Sequence, residues 1–209
     1  MQFSMLRKEL KALSRFSAIK DSRYYMCGVH VVQDQRGTYI EATNGHMLGR
    51  LLLALSAKPS ADVIIGNDAV AKLSASGKKG NEWLHFTVNG SSVEVISEND
   101  KLTFQAIDGE FPDVDRIVAA VLKDKDIAPA AFNPEYLMAF QDAANDIKGN
   151  RRGAEPCVSL LQRGHNPAIV NIDVDNFLGI IMPVRDRATA SIPQWCYTAK
   201  DSQLKTVAA

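Results

Sequence analysis

An α+β fold assembled from three β-α-β-β-β units is what this sequence predicts, on three observations. A helical stretch followed by three strand-like runs recurs three times, at a spacing of roughly 55–65 residues. Leu84, Phe86 and Val88 alternate with His85 and Thr87, the pattern of a strand with one buried face. Turn chemistry separates the runs, most clearly at Asn44-Gly45 and Asn89-Gly90, where Asn-Gly reaches positive φ at low cost. One-faced antiparallel strands need a shared sheet, which sets this repeat apart from a solenoid.

The first unit opens with a helical pattern from Ser4 to Phe16. At 100° per residue Phe3, Leu6, Leu10 and Leu13 fall on one stripe, with Arg7, Lys8, Lys11 and Arg15 opposite. Strands follow at Tyr24–Val32, Gly37–Ala42 and Met47–Leu55. In the second unit a short strand, Asp62–Gly66, leads into a helix capped by Asn67 or Asp68 and stopped by Gly77. Its strands are Trp83–Val88, Ser92–Ser97 and Lys101–Ile107. Residues 108–125, with Gly109, Pro112 and several acids, read as a linker. The third unit begins with a strand at Ile127–Phe132. Asn133-Pro134 then starts a helix whose buried stripe is Leu137, Phe140, Ala144 and Ile147, ending near Gly149. Strands at Cys157–Leu161, Ala168–Ile172 and Phe177–Met182 complete it. Residues 186–209 read as a polar extension.

Composition narrows the function classes. The chain has 209 residues, 46% hydrophobic and 23% charged, with 24 basic and 24 acidic side chains. This is an ordinary soluble composition with no whole-molecule field that calls for nucleic acid or membrane. Cys27, Cys157 and Cys196 are odd in number and far apart, as expected of reduced thiols. No apolar run reaches the roughly 18 residues of a spanning helix, and the N-terminus has no signal pattern, so the cytoplasm is expected.

Catalytic chemistry finds little footing. His30, His46, His85 and His165 are scattered, away from metal-ligand spacing. There is no nucleophile elbow, Walker loop or Gly-x-Gly-x-x-Gly. Asp173 and Asp175 share a strand face and offer a weak carboxylate pair, better read as a solvated turn. No cofactor, no metal and no enzymatic activity are expected.

Four motifs stand in order: Arg23-Tyr24-Tyr25-Met26-Cys27-Gly28, Ala42-Thr43-Asn44-Gly45-His46-Met47-Leu48, Phe111-Pro112-Asp113 and Ile180-Ile181-Met182-Pro183-Val184-Arg185. Together they resemble the bacterial DNA sliding clamp, the beta subunit of DNA polymerase III. The resemblance implies the DNA-clamp (processivity) fold. Residues 1–120 would form a complete clamp domain resembling the family's middle domain. Residues 121–185, through Phe132-Asn133-Pro134-Glu135-Tyr136, would form a half domain resembling the second half of its last one. The family's first domain has no counterpart. Asn44 stands where Asp is usual and Met47 where Arg is usual, and the chain continues past Arg185.

In that family a groove between the last two domains accepts short linear peptides from DNA polymerases, the clamp loader and repair proteins. Carried over by residue, it would be lined by Met26, Thr43, Gly45, His46, Met47, Leu48, Pro112, Arg116, Ile117, Ile180, Met182, Val184 and Arg185, with Asn133 and Tyr136 at its rim. Two segments over 130 residues apart, both rich in Met and aliphatic residues, make sense if they meet at one apolar pocket with a polar edge. The family's helices also offer cations to the phosphates of duplex DNA. Here these would be Arg7, Lys8, Lys11 and Arg15, then Lys72, Lys78 and Lys79, then Lys148, Arg151 and Arg152. The acids Glu135, Asp142 and Asp146 oppose that role on the third helix.

The resemblance implies a non-catalytic processivity factor that tethers a polymerase to DNA. A different class, a groove-bearing module that recruits or competes for clamp-binding proteins without encircling DNA, fits the same motifs. A half domain leaves a sheet edge uncovered, so self-association is expected. Four chains of three units would supply the twelve units of a ring, with a dimer pairing the half domains as an intermediate. Gln203-Leu204-Lys205-Thr206-Val207 resembles the peptides such grooves bind.

Overall fold

The computed structural model describes residues 2–54, 61–75, 79–98, 101–123, 130–149, 158–162 and 166–185. The first unit comprises β1 (Gln2–Leu6), α1 (Arg7–Ser14), β2 (Gly28–Asp34), β3 (Gly37–Thr43) and β4 (Met47–Ala54). The second comprises β5 (Ala61–Gly66), α2 (Asn67–Leu73), β6 (Trp83–Asn89), β7 (Ser92–Ile96) and β8 (Lys101–Gln105). After α3 (Val114–Lys123) come α4 (Pro134–Lys148), β9 (Ser159–Leu161), β10 (Ala168–Asn171) and β11 (Phe177–Ile181). No described helix is long and apolar enough to cross a membrane.

The first two units exchange their opening strands. β1 pairs with β6 in a four-stranded sheet ordered β1-β6-β7-β8, while β5 pairs with β2. The second sheet has seven strands, β5-β2-β3-β4-β11-β10-β9, all antiparallel, and joins the third unit to the first through β4 and β11. The main core lies on one face of the seven-stranded sheet, where Leu10, Leu13 and Phe16 meet Val29, Val31, Ile40, Leu51 and Phe140. A second core on the other face gathers Leu48, Ile64, Phe111, Val114, Val121 and Ile180 beneath α3. Successive strand residues point to opposite faces, so Met47 and Leu51 join the first core while Leu48 joins the second.

Four expectations are corrected. The segment before Arg7 is strand, with Phe3 and Met5 buried at alternating positions and Phe3 stacked on Phe86 at 4.6 Å. The helix begins where the side chain of Glu9 turns back to accept from the Leu6 N–H at 2.8 Å. Tyr24–Met26 form a single 3₁₀ turn, and the strand starts at Gly28. Asn67 is the first helical residue of α2 rather than its cap; its side chain donates to the Ala18 carbonyl (2.8 Å) and accepts from Ser17 Oγ (2.9 Å). Residues 108–125 are not a plain linker, since α3 occupies 114–123. Gly77, Ile127, Cys157, Cys196, His165 and the extension 186–209 lie outside the described residues.

A candidate peptide-binding cavity at the β4–β11 seam

The loop between β3 and β4 is held by its own side chains. Asn44 Oδ1 accepts from the His46 and Met47 N–H groups at 2.9 and 3.0 Å. Thr43 Oγ1 accepts from the Gly45 N–H at 3.0 Å and donates to the Met47 carbonyl at 2.8 Å. Gly45 sits at φ 87°, a left-handed conformation that costs glycine nothing. Beside it runs the end of the third unit. Ile181 pairs with Met47 and Ile180 with Leu48, and the Met182 N–H donates to the His46 carbonyl at 2.8 Å.

A cavity of about 170 Å3 opens at this seam, lined by Arg23, Met26, Thr43, Gly45, His46, Met47, Leu48, Pro112, Ile117, Ile180 and Met182. Met26, Leu48 and Ile180 are buried. Most of the lining is aliphatic or thioether; of the polar lining residues Arg23 and His46 are exposed and Thr43 is buried. The structure thus brings together ten of the residues the sequence singles out. Five others do not line it. Arg116 is exposed and its N–H donates to Asp113 Oδ1 at the start of α3. Asn133 caps α4, accepting from the Glu135 N–H at 3.0 Å. Tyr136 stacks on His46 with ring centroids 5.9 Å apart. Val184 is exposed and donates its N–H to the Ala131 carbonyl (2.8 Å), and Arg185 is exposed.

Arg23 is the lining residue that the sequence reading passes over. It is gripped by Asp21, which accepts from Nε at 3.0 Å and from the terminal nitrogen at 2.8 Å. The guanidinium holds the Asp21 carboxyl down at about 2. A Cβ on Gly45 would lie 3.2 Å from the Arg23 guanidinium, so the cation rests directly over the loop. The available signal was the Asp-x-Arg spacing, which lets a carboxylate fold back onto the arginine two residues on.

The third wall is set by charge. Asp115 on α3 accepts from Arg36 (2.8 and 2.9 Å) and from Arg50 (2.6 Å). Arg50 also donates to Glu41, Glu41 meets His30 Nδ1 at 2.9 Å, and His30 Nε2 meets Asp62 at 2.7 Å. The His30 ring stacks on Phe111 at 4.5 Å. Hydrogen bonds from Arg36 hold Asp34 and Asp115 at about 2, against the ordinary 3.8. This chain pins α3, and with it Pro112 and Ile117, to the sheet.

The basic residues are placed differently from expectation. Arg7 is buried, 2% exposed, donating to the Leu73 carbonyl and to Glu82 at 2.6 Å, so it cannot present a charge to phosphate. The helical stripe misassigned it because residues 2–6 are strand, and Arg7, the first residue of α1, is turned onto the end of α2 and Glu82. Lys11 and Arg15 face α4 and are paired with Asp146 and Asp142 at 2.6 to 2.8 Å. Lys148 pairs with Asp173 at 2.6 Å, which also lowers the Asp173 carboxyl. Lys72 and Lys79 are exposed and Lys8 is half-buried; Lys78, Arg151 and Arg152 lie outside the described residues.

Residues 2–113 match the family model described as the DNA polymerase III beta subunit, central domain. Among solved structures, the DNA polymerase sliding clamp from Pseudomonas aeruginosa is similar at 16% identity and a TM-score of 0.66, over 88% of this chain and 67% of that one. The sliding clamp from Bacillus subtilis is similar at 15% identity and 0.60, over 90% and 65%. A DnaN sliding clamp from Bartonella birtlesii bound to griselimycin is similar at 19% and 0.61, over 88% and 66%. These likenesses carry the fold: an α+β clamp fold in a chain that spans about two thirds of the length of those structures. No curated protein sequence matches.

Proposed function

Because the chain belongs to the DNA polymerase III beta subunit family, the bacterial sliding clamps, we propose that it is a non-catalytic processivity factor. In this reading the seam cavity receives a short linear peptide from a DNA polymerase or clamp loader, tethering that partner to duplex DNA. The observation that carries the reading is the meeting of Leu48 and Ile180. They stand 132 positions apart in the chain, pair across the β4–β11 seam, and both line one largely apolar cavity that also carries the exposed Arg23 and His46. An apolar pocket with a few fixed polar groups suits an aliphatic or aromatic peptide side chain flanked by backbone that needs hydrogen bonds. Met26, Met47 and Met182 add side chains flexible enough to re-pack around it.

Contact with DNA would be non-specific and through phosphates. Lys8, Lys72 and Lys79 are the described cations best able to take part, and Lys11 and Arg15 contribute to the extent that they leave Asp142 and Asp146.

A fluorescence titration of a labelled clamp-binding peptide against the wild type and Met182→Ala tests the cavity. Truncating a central anchor costs about 2 kcal/mol, roughly a thirtyfold rise in Kd. Equal binding by both proteins, or none by the wild type, overturns the reading. Retention on nicked circular against linear duplex tests the DNA arm, since a clamp that encircles DNA is lost from free ends.

A further inference from the structure

The first two units follow one rule that the third leaves half fulfilled. In each, the segment that precedes the helix pairs antiparallel with the first strand after the helix of the other unit, in the same register. Leu6, just before α1, pairs with Trp83, the first residue of β6, and Ser4 pairs with His85. Gly66, just before α2, pairs with Gly28, the first residue of β2, and Ile64 pairs with His30. On its other side Ile64 bridges Ile107, two residues beyond the last strand of its own unit.

The third unit reproduces the last of these contacts. Ala131, three residues before the start of α4 as Ile64 is before the start of α2, bridges Val184, three residues beyond β11. Among the described residues, the strand-exchange partners are what the third unit lacks. Among the described residues no strand lies on the outer side of β9, whose three residues are all exposed, Leu160 at 38% and Leu161 at 49%. None lies on the free side of Ala131 either. α1 and α2 pack against each other in the first pair of units; α4 packs on α1, and its Met138 is left 63% exposed.

We propose that a second copy of this chain completes the third unit, with residues 130–132 of each copy lying antiparallel beside β9 of the other. The two third units thereby form a two-fold pair built as the first and second units are built. The register carries over from the rule: Asn133 stands opposite Ser159, and Ala131 opposite Leu161. One contact is not reproduced, because the backbone N–H that Arg7 gives to Glu82 and Asn67 gives to Cys27 has no counterpart at Pro134. The two strand pairings are isologous, so one operation covers both open edges and closes the assembly.

Light scattering coupled to size exclusion on the full chain at about 50 μM is expected to give twice the 22.9 kDa of one chain. Leu160→Glu with Leu161→Glu places charges at the edge without emptying the core, and is expected to return the mass to one chain with an unchanged circular dichroism spectrum. In a background with the native cysteines replaced by serine, chains carrying Ala131→Cys and chains carrying Leu161→Cys are oxidised separately and mixed. A crosslinked pair in the mixture, with none in either chain alone, is the expected result. A one-chain mass for the wild type overturns the proposal. So does a dimer insensitive to both charges that yields no crosslink on mixing.

Discussion

Gly49 and Gly179 face each other across the β4–β11 seam, and the space above each is filled by a phenyl ring. A Cβ on Gly49 would lie 2.6 Å from the ring of Phe16, and one on Gly179 would lie 2.6 Å from Phe140 and 2.9 Å from Val170. Phe16 and Phe140 in turn contact each other at 4.8 Å. The joint between the first and third units is thus a close-packed stack of two glycines under two aromatic rings. Gly49→Ala and Gly179→Ala should each cost about 1–3 kcal/mol in urea unfolding, because a well-packed site cannot absorb an added methyl without moving the rings. The double variant should depart from additivity, since both methyls push on the same pair of rings.

Arg7→Ala should be among the most destabilising single changes, at about 3–5 kcal/mol, since it strips a buried carboxylate of its cation. Glu82 is only 8% exposed and its ion pair with Arg7 is 2.6 Å long. Thermal and chemical unfolding of Arg7→Ala and Arg7→Met measure this. The salt slope of DNA binding should be unchanged in whatever folded protein remains.

Acid should loosen α3 in a defined window. The folded-state carboxyls of Asp34 and Asp115 sit at about 2, below the ordinary 3.8. A depressed carboxyl adds stability that is complete above about pH 5 and is lost as the pH falls through 2. Half of the Asp115 side chain is exposed, so solvent screening holds its share to about 1 kcal/mol. The stability difference between wild type and Asp115→Asn, measured by urea unfolding, should be constant from pH 7 to 5 and vanish towards pH 2. Peptide affinity should weaken with it, since α3 carries Ile117.

Asp146→Asn should strengthen binding to duplex DNA at low salt, because it releases Lys11 and leaves Arg15 held by Asp142 alone. Lys8→Ala and Lys72→Ala should each flatten the slope of log K against log salt by about 1 where that lysine meets a phosphate. Fluorescence anisotropy across a sodium chloride series gives both readings.

Much of the architecture was legible because strand alternation and turn chemistry agreed along most of the chain. Asn133-Pro134 and Gly149 bounded α4 as their chemistry demands, since an Asn cap, a Pro at the first helical position and a left-handed Gly act locally. The failures arose where two periods overlapped. Phe3, Leu6 and Leu10 fit a helical stripe, while Phe3 and Met5 also fit a strand, and only pairing with β6 decides between them. In α3 the spacing of Val114, Ile117, Val118 and Val121 was helical, but Gly109, Pro112 and the neighbouring acids read as a linker. Charged side chains were the least legible. Arg7 is buried against Leu73 and Glu82, partners too distant in sequence to be read from a local stripe, and Lys11 and Arg15 met acids of a helix over 120 residues away.

The seven-stranded sheet runs unbroken through the seam, so the β4 and β11 sides of the cavity are fixed to each other. In the proposed complex, loss of freedom then falls largely on the incoming peptide, whose backbone would be fixed on binding. Ligands stiffened beforehand, by a ring closure or a proline outside the contacting residues, should gain most over their linear parents, and the gain should show as slower release.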